Sequence, residues 1–259
     1  MAIKIAIANL KGGVYKTSSS LILADVFQRE GKKTLLVDTD SQISATILYG
    51  GDTNDYTLAD VLFSGEDVKK CIQHTEKGDL LASDTALKDA ESSIQGSAYQ
   101  KPFKLRNSLK SIENDYDYII VDTCPGSSLL LDSVLMYVDY VLIPVTLDKL
   151  TVSSTQEFCG RLKEYEEFNP NLKVLGLFIT QYQENNLTRD LEENILPDIA
   201  KEYNTEILNT KIHVSVKVKE AQVLDLSLFD YMNKDSDNAP KAVTDYWSFA
   251  EEILAKFEK

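Results

Sequence analysis

The sequence predicts an α/β fold, a doubly wound and mostly parallel sheet with helices on both faces. Three observations predict it. Short apolar, β-branched runs alternate with helical patterns along the chain, an order that favours parallel strands joined by right-handed helical crossovers. Several of those runs stop at Gly- or Asp-bearing turns, where open α/β sheets bind ligands. Finally, 43% of the 259 residues are hydrophobic, enough for one large core. No internal repeat or low-complexity linker divides the chain, so residues 1–259 read as one domain. Pro and Gly are sparse and are expected at element ends.

Composition excludes several classes. No apolar run approaches the ~20 residues that span a bilayer, and Met1 leads directly into a strand pattern rather than a signal peptide. Cys71, Cys124 and Cys159 are scattered, and His74 and His213 lie far apart. A disulfide framework or zinc site is not expected, and a reducing cytoplasm is. The net charge is −14. Such a chain is not drawn as a whole to nucleic acid or anionic membrane, so DNA binding would need a local patch and would be salt-sensitive.

The first strand is Ile3–Ala8, apolar and β-branched. Asn9-Leu10-Lys11-Gly12-Gly13-Val14-Tyr15-Lys16-Thr17-Ser18 follows, and Leu21, Ile22, Ala24 and Phe27 then mark an amphipathic helix. Strand, Gly-containing loop and helix form the geometry that holds phosphate, because loop amides and the first helical N–H groups converge on one anion. Lys16 would place a point charge on the β- and γ-phosphates, and Thr17 a hydroxyl on Mg²⁺. The strict phosphate-loop motif wants glycine at positions 10 and 15, where this chain has Leu10 and Tyr15. Tyrosine at 15 fits the loop if its φ is negative.

The second strand, Lys33–Asp38, ends in Asp38-Thr39-Asp40-Ser41-Gln42, two acids where a ligand would sit. Residues 57–115 say less. Thr57–Leu62 could open a short helix, and Leu80–Ala82 is a short strand. Lys101, Lys104, Arg106 and Lys110 gather in a stretch with no acid, either a solvated helix face or a partner surface. Tyr116–Val121 is a strand ending in Asp122, then broken at Pro125-Gly126; its carboxylate would reach Mg²⁺ beside the loop. Strands at Asp139–Val145 and Lys173–Thr180 flank a helix over Thr151–Phe168, and Leu187–Tyr203 reads as a further helix. Thr210–Ala221 follows, and Tyr246–Phe257 is a final amphipathic helix in which Glu251, Glu252 and Glu258 offset Lys256 and Lys259.

These motifs resemble the deviant Walker A ATPases of the ParA/MinD family, on the ParA (Soj-like) side, which are P-loop NTPases. Lys11-Gly12-Gly13-x-x-Lys16-Thr17 is similar to the family's K-G-G-x-G-K-[TS], with Tyr15 in place of glycine. Asp38-Thr39-Asp40-Ser41-Gln42 is similar to D-x-D-P-Q with Ser41 for proline, and Tyr116–Pro125 to Y-D-x-I-I-x-D-T-P-P with Cys124 for the first proline. Val141-Leu142-Ile143-Pro144-Val145 matches V-L-I-P-V, and Ile212–Ala221 resembles I-R-x-N-x-x-x-x-E-A with His213 for arginine.

The resemblance implies ATP and Mg²⁺ as cofactors, with residues 11–18 (Lys11, Gly12, Gly13, Val14, Tyr15, Lys16, Thr17, Ser18) around the phosphates. It gives Thr17, Asp38 and Asp122 the metal, Asp38 through its water shell, and Asp40 the attacking water. Lys11 would cross an ATP-dependent homodimer interface to the partner's nucleotide. Thr180, Gln181 and His213 become candidates for the adenine, and Arg189, Lys217 and Lys219 for non-specific DNA. The implied function is plasmid or chromosome partitioning in the cytoplasm, nucleoid-associated when ATP-bound, with a ParB-like partner that triggers slow hydrolysis. Two alternatives stay open. One is a nucleotide-binding scaffold with little hydrolysis, because of Tyr15. The other is a MinD-like positioning ATPase, whose membrane helix needs a basic face that Tyr246–Phe257 lacks.

Overall fold

The computed structural model describes residues 1–232 and 241–258; Lys259 lies outside them. Ile3–Ile7 is β1, and α1 follows over Lys16–Arg29. β2 is Thr34–Asp38, α2 is Ser44–Leu48, and a π turn covers Asp60–Ser64. α3 (Val68–Cys71) leads into β3 (Ile72–Thr75) and β4 (Gly78–Leu81). α4 (Ala90–Ser93) and α5 (Lys104–Leu109) precede β5 (Tyr118–Asp122) and α6 (Leu129–Leu135). Then come β6 (Tyr140–Val145), α7 (Lys149–Glu166) and β7 (Lys173–Tyr182). α8 (Asn186–Asp190) passes through a π turn at Leu191–Ile195 into α9 (Leu196–Glu202), so the helix expected over 187–203 is wound unevenly. β8 (Ile207–His213), α10 (Lys217–Val223), α11 (Leu228–Tyr231) and α12 (Lys241–Leu254) complete the order.

The eight strands form one sheet in the order β3-β4-β2-β5-β1-β6-β7-β8. Every neighbouring pair is parallel except β3 and β4. The chain leaves β1 toward β2 on one side, returns through β5, and departs through β6 on the other. The carboxyl end of β1 is therefore the point where the winding reverses, which opens a crevice for ligand. Alternation along each strand divides the core into two layers. Ile119 and Val121 of β5 face one layer, and Tyr118 and Ile120 the other. The second layer is closed by α1 and α12, whose Tyr246, Phe249 and Ile253 are fully buried. The apolar face of α12 is thus spent on the core. No helix among the described residues is long and apolar enough to cross a membrane.

One strand escaped the sequence reading, and one expectation needs correction. β3 is an added antiparallel strand; its half-exposed Ile72-Gln73-His74-Thr75 lacks the apolar run that marks the inner strands. Pro and Gly do not all fall at element ends. Pro144 sits inside β6, past Leu142, the last residue of β6 paired with β1, so its missing N–H costs that pairing nothing. Gly160 lies inside α7, and Gly176 inside β7, where a Cβ would come within 2.7 Å of Leu208.

The outer edge at β8 is closed by acids from α12. Glu252 accepts backbone N–H bonds from Asn209 at 2.8 Å and Thr210 at 3.0 Å, and Asp245 accepts one from His213 at 3.0 Å.

Candidate functional site

The loop between β1 and α1 is pinned from below by Asn9, a fully buried amide. Its Nδ2 donates to the Pro144 carbonyl at 2.9 Å and to Thr155 Oγ1 at 3.1 Å, and its Oδ1 accepts from the Lys11 N–H at 3.0 Å. Gly126 N–H donates to the Leu10 carbonyl at 2.8 Å, tying the loop to the turn after β5. Gly13 has φ +76°, a left-handed conformation that glycine adopts without strain. Gly12 and Gly13 are exposed at the crevice.

Lys16 opens α1 and points back under the loop. Its Nζ donates to the carbonyls of Lys11 at 2.9 Å and Asn9 at 3.2 Å, and only 6% of the residue is exposed. Burial lowers the Lys16 pKa, while the charges of Asp122, Cys124 and Asp40 oppose that shift. An ammonium held by two carbonyls is ready to move to a phosphate that outbids them.

Asp38 and Asp122 are direct neighbours in the β2–β5 register. Thr17 Oγ1 donates to Asp122 Oδ2 at 2.7 Å, and Ser20 Oγ to Oδ1 at 2.9 Å. Asp38 Oδ2 takes the N–H and hydroxyl of Thr46, both at 2.8 Å, and its Oδ1 takes the Asp40 N–H at 2.9 Å. Burial, reinforced by the Asp38 charge, raises the Asp122 pKa; burial also raises that of Asp38 against the hydrogen bonds it accepts. Two enclosed carboxylates this uneasy mark a deficit of positive charge. Among the described residues no cluster of three or more His, Cys, Asp or Glu could hold a metal ion. A Thr17 hydroxyl with the Asp122 carboxylate still fits magnesium, which keeps water and phosphate oxygens as its other ligands. Asp40 is 8% exposed, its carbonyl held by Ser83 Oγ at 2.8 Å and its Oδ1 by the Gln42 N–H at 2.9 Å.

Lys11 stands at the rim. Its Nζ lies 3.4 Å from Asp148 Oδ1, the N-cap of α7. Burial alone would raise the Asp148 pKa, but hydrogen bonds from Thr146 and Thr151 and the Lys11 charge hold it well below the ordinary carboxylate range.

Of the adenine candidates, two reach the phosphate loop. Thr180 Oγ1 donates to the Val14 carbonyl at 3.3 Å, and Gln181 Nε2 to that of Gly13 at 2.9 Å. His213 sits one strand further out, bonded through Nδ1 to Asp245 at 2.8 Å and edge-on to Tyr182. Ser18 Oγ accepts from Gln222 Nε2 of α10 at 3.2 Å. The DNA candidates are not gathered into an acid-free patch. Arg189 pairs with Glu184 at 2.8 Å and Lys217 with Glu220 at 2.6 Å, while Lys219 is exposed. By contrast, no acid among the described residues pairs with Lys104, Arg106 or Lys110.

Sequence reading passed over Asn9, Ser20, Thr46 and Asp148 as site residues. Asn9 and Asp148 stood next to recognised motifs, but their partners lie more than a hundred residues away.

Tyr15 corrects a further expectation. Its φ is +65°, not negative. A non-glycine residue there carries about 1–2 kcal/mol of strain, and Ile43, at the start of α2, carries the same at φ +55°. The half-buried Tyr15 ring lies near Tyr246, whose pKa is pushed up first by burial and, further down, by the Tyr15 phenol. Tyr15→Gly relieves the strain but adds about 0.5–1 kcal/mol of unfolded-chain entropy. The variant is expected to melt at most about 2–4 °C higher than the parent and to bind ATP·Mg²⁺ up to several-fold more tightly. Calorimetric titration and thermal melts check this; a clear drop in melting temperature would mean that ring packing outweighs the strain.

Comparison with known proteins agrees with this geometry. The family model described as "AAA domain" matches residues 2–174. A ParA family protein of Chlamydia pneumoniae is 30% identical over 258 residues, covering 96% of each chain. The chromosome partitioning protein ParA of Caulobacter vibrioides is 26% identical over 224 residues, 84% of this chain and 82% of that one. Among solved structures, cobyrinic acid a,c-diamide synthase from Mycobacterium smegmatis, with bound ADP and magnesium, superposes with a TM-score of 0.81 at 25% identity, covering 100% of this chain and 96% of the other.

Proposed function

The chain belongs to the ParA/MinD family of AAA-domain P-loop ATPases, and from that premise we propose that it is a ParA-like ATPase whose ATP-dependent dimerisation and hydrolysis partition a plasmid or chromosome. The observation that carries this reading is the convergence of Lys16, Thr17, Asp38 and Asp122 on one strand-end crevice, with Lys11 at its rim. Lys16 leaves the Lys11 and Asn9 carbonyls for the β- and γ-phosphates. Thr17 and Asp122, with Asp38 through water, would hold magnesium, which would supply neutralising charge to the phosphates. Asp40 orients the attacking water by accepting its proton in a hydrogen bond. Lys11 leaves Asp148 to meet the nucleotide of a second copy. A ParB-like partner then triggers release. Each chain contributes one ATPase unit, and the cycle runs in the cytoplasm and on the nucleoid.

The strain at Tyr15 favours one second reading, a nucleotide-binding scaffold with little hydrolysis. Phosphate release with and without DNA separates the two, because a scaffold would show none in either condition. DNA contact is assigned to Arg189, Lys217 and Lys219. Lys217→Glu with Lys219→Glu is expected to weaken ATP-dependent DNA binding at least about tenfold and to flatten its log–log salt slope by about 2, with basal hydrolysis unchanged. Equal binding by the double variant would move the surface elsewhere, first to the stretch Lys101–Lys110.

A further inference from the structure

At the opposite end of the sheet, where β1, β5 and β6 begin, lies a cavity of about 690 Å³. It is walled by the basic stretch whose role the nucleotide site does not absorb. Its floor and its rim carry opposite chemistry. On the floor, Glu113 is 6% exposed, and no donor among the described residues reaches its carboxylate. Beside it the Tyr137 hydroxyl is buried without a partner. Burial, then the charges of Glu113 and Asp139, push the Tyr137 pKa well above its ordinary value, so both carboxylates bear on this one hollow. Asp139 is already satisfied by Lys4, whose Nζ lies 3.0 Å away. Glu113 is not.

The rim is basic and aromatic. Arg106 and Lys110 are exposed there and unpaired among the described residues, and Tyr99 is 88% exposed. A DNA backbone would suit those cations but not the acid behind them, which repels phosphate. A carboxylate that opens into the hollow with no protein donor on it offers instead an acceptor to a cationic group that can enter. The cations at the mouth then call for an anion at the other end of the same molecule.

We propose that this cavity binds a small zwitterion, with its ammonium on Glu113, its carboxylate on Arg106 and Lys110, and an apolar or aromatic body against Tyr99. The volume falls in the range of small-molecule pockets. The site lies at the amino ends of the strands, away from the phosphate loop, so it goes beyond the ATPase reading and does not depend on it.

The test is an NMR titration of the nucleotide-free protein with L-phenylalanine, phenylacetate and phenethylamine. L-Phenylalanine is expected to give saturable shifts at Glu113, Arg106 and Lys110, with affinity at least about tenfold above either single-charge analogue. Glu113→Gln and the Arg106→Ala/Lys110→Ala pair are each expected to lower that affinity by about tenfold or more. The surface pair does not touch the core and carries the test should Glu113→Gln fail to fold. Equal binding of all three probes, no saturable shift up to the solubility limit, or unchanged affinity in the Arg106/Lys110 pair would overturn the proposal.

Discussion

Lys11→Ala is expected to keep ATP binding within a few-fold of the parent, to lower hydrolysis by about 10³-fold or more, and to abolish the ATP-dependent dimer. The loop's own phosphate charge comes from Lys16, which is buried beneath it and held by two carbonyls. Lys11 instead projects from the rim, 31% of its side chain exposed, and among the described residues its ammonium pairs only with Asp148. That contact is long, at 3.4 Å, and a partly exposed pair of this kind is weak. It can be given up for a triphosphate presented by a second copy. Sizing chromatography with a non-hydrolysable ATP analogue, together with phosphate-release assays, checks the result. An undisturbed ATP dimer in the variant would refute the role across the interface.

The second large effect is a pH dependence of stability that magnesium with ATP removes. An ordinary aspartate titrates near 3.8; in the folded chain burial carries Asp38 to about 6, and burial with the Asp38 charge carries Asp122 to about 7. Between those limits the native state binds more protons than the unfolded chain. Stability from these groups is therefore complete below about pH 4 and is lost as pH rises through about 7. In chelator and without nucleotide, the melting temperature is expected to fall by at least about 2–4 °C between about pH 5.5 and about pH 8. Mg²⁺ with ATP should remove that fall, since a divalent charge favours the ionised carboxylates. Asp122→Asn should shrink the fall in chelator and lose the protection by Mg²⁺ and ATP. A flat profile for the natural sequence in chelator would show that the two carboxylates are not charge-starved.

The strand ends were legible because each inner strand is a continuous apolar run cut off by a residue of different chemistry. Ile119-Ile120-Val121 stopping at Asp122 can be read locally. The edge strand β3 could not be read that way, since Ile72, Gln73 and Thr75 are all half-buried, His74 is exposed, and no apolar alternation marks it. Local reading put Lys16, Thr17 and Asp122 at one phosphate and metal site, the family resemblance added Asp38, and the structure brings the four together. It missed the Asn9 clamp, because an asparagine bonded to Pro144 and Thr155 leaves no trace in its neighbours. The backbone of Tyr15 was misjudged for a related reason. Its φ of +65° belongs to a loop whose Gly13 and Val14 carbonyls are bonded by Gln181 and Thr180, about 165 residues further along the chain and two strands away. His213 was placed by pattern near the base, and the structure engages it with Asp245 of the last helix.

The carboxylates that α12 lays along β8 decide how copies of this chain can meet. An open strand edge is a template: its free N–H groups recruit any extended segment that passes, and sheets then grow from molecule to molecule. Glu252 and Asp245 occupy those donors at Asn209, Thr210 and His213. An incoming strand would have to evict two anions that are already hydrogen-bonded. At the other margin, β3 offers only four residues, too short a rail for stable annealing. With both margins blunted, self-association by strand exchange is disfavoured.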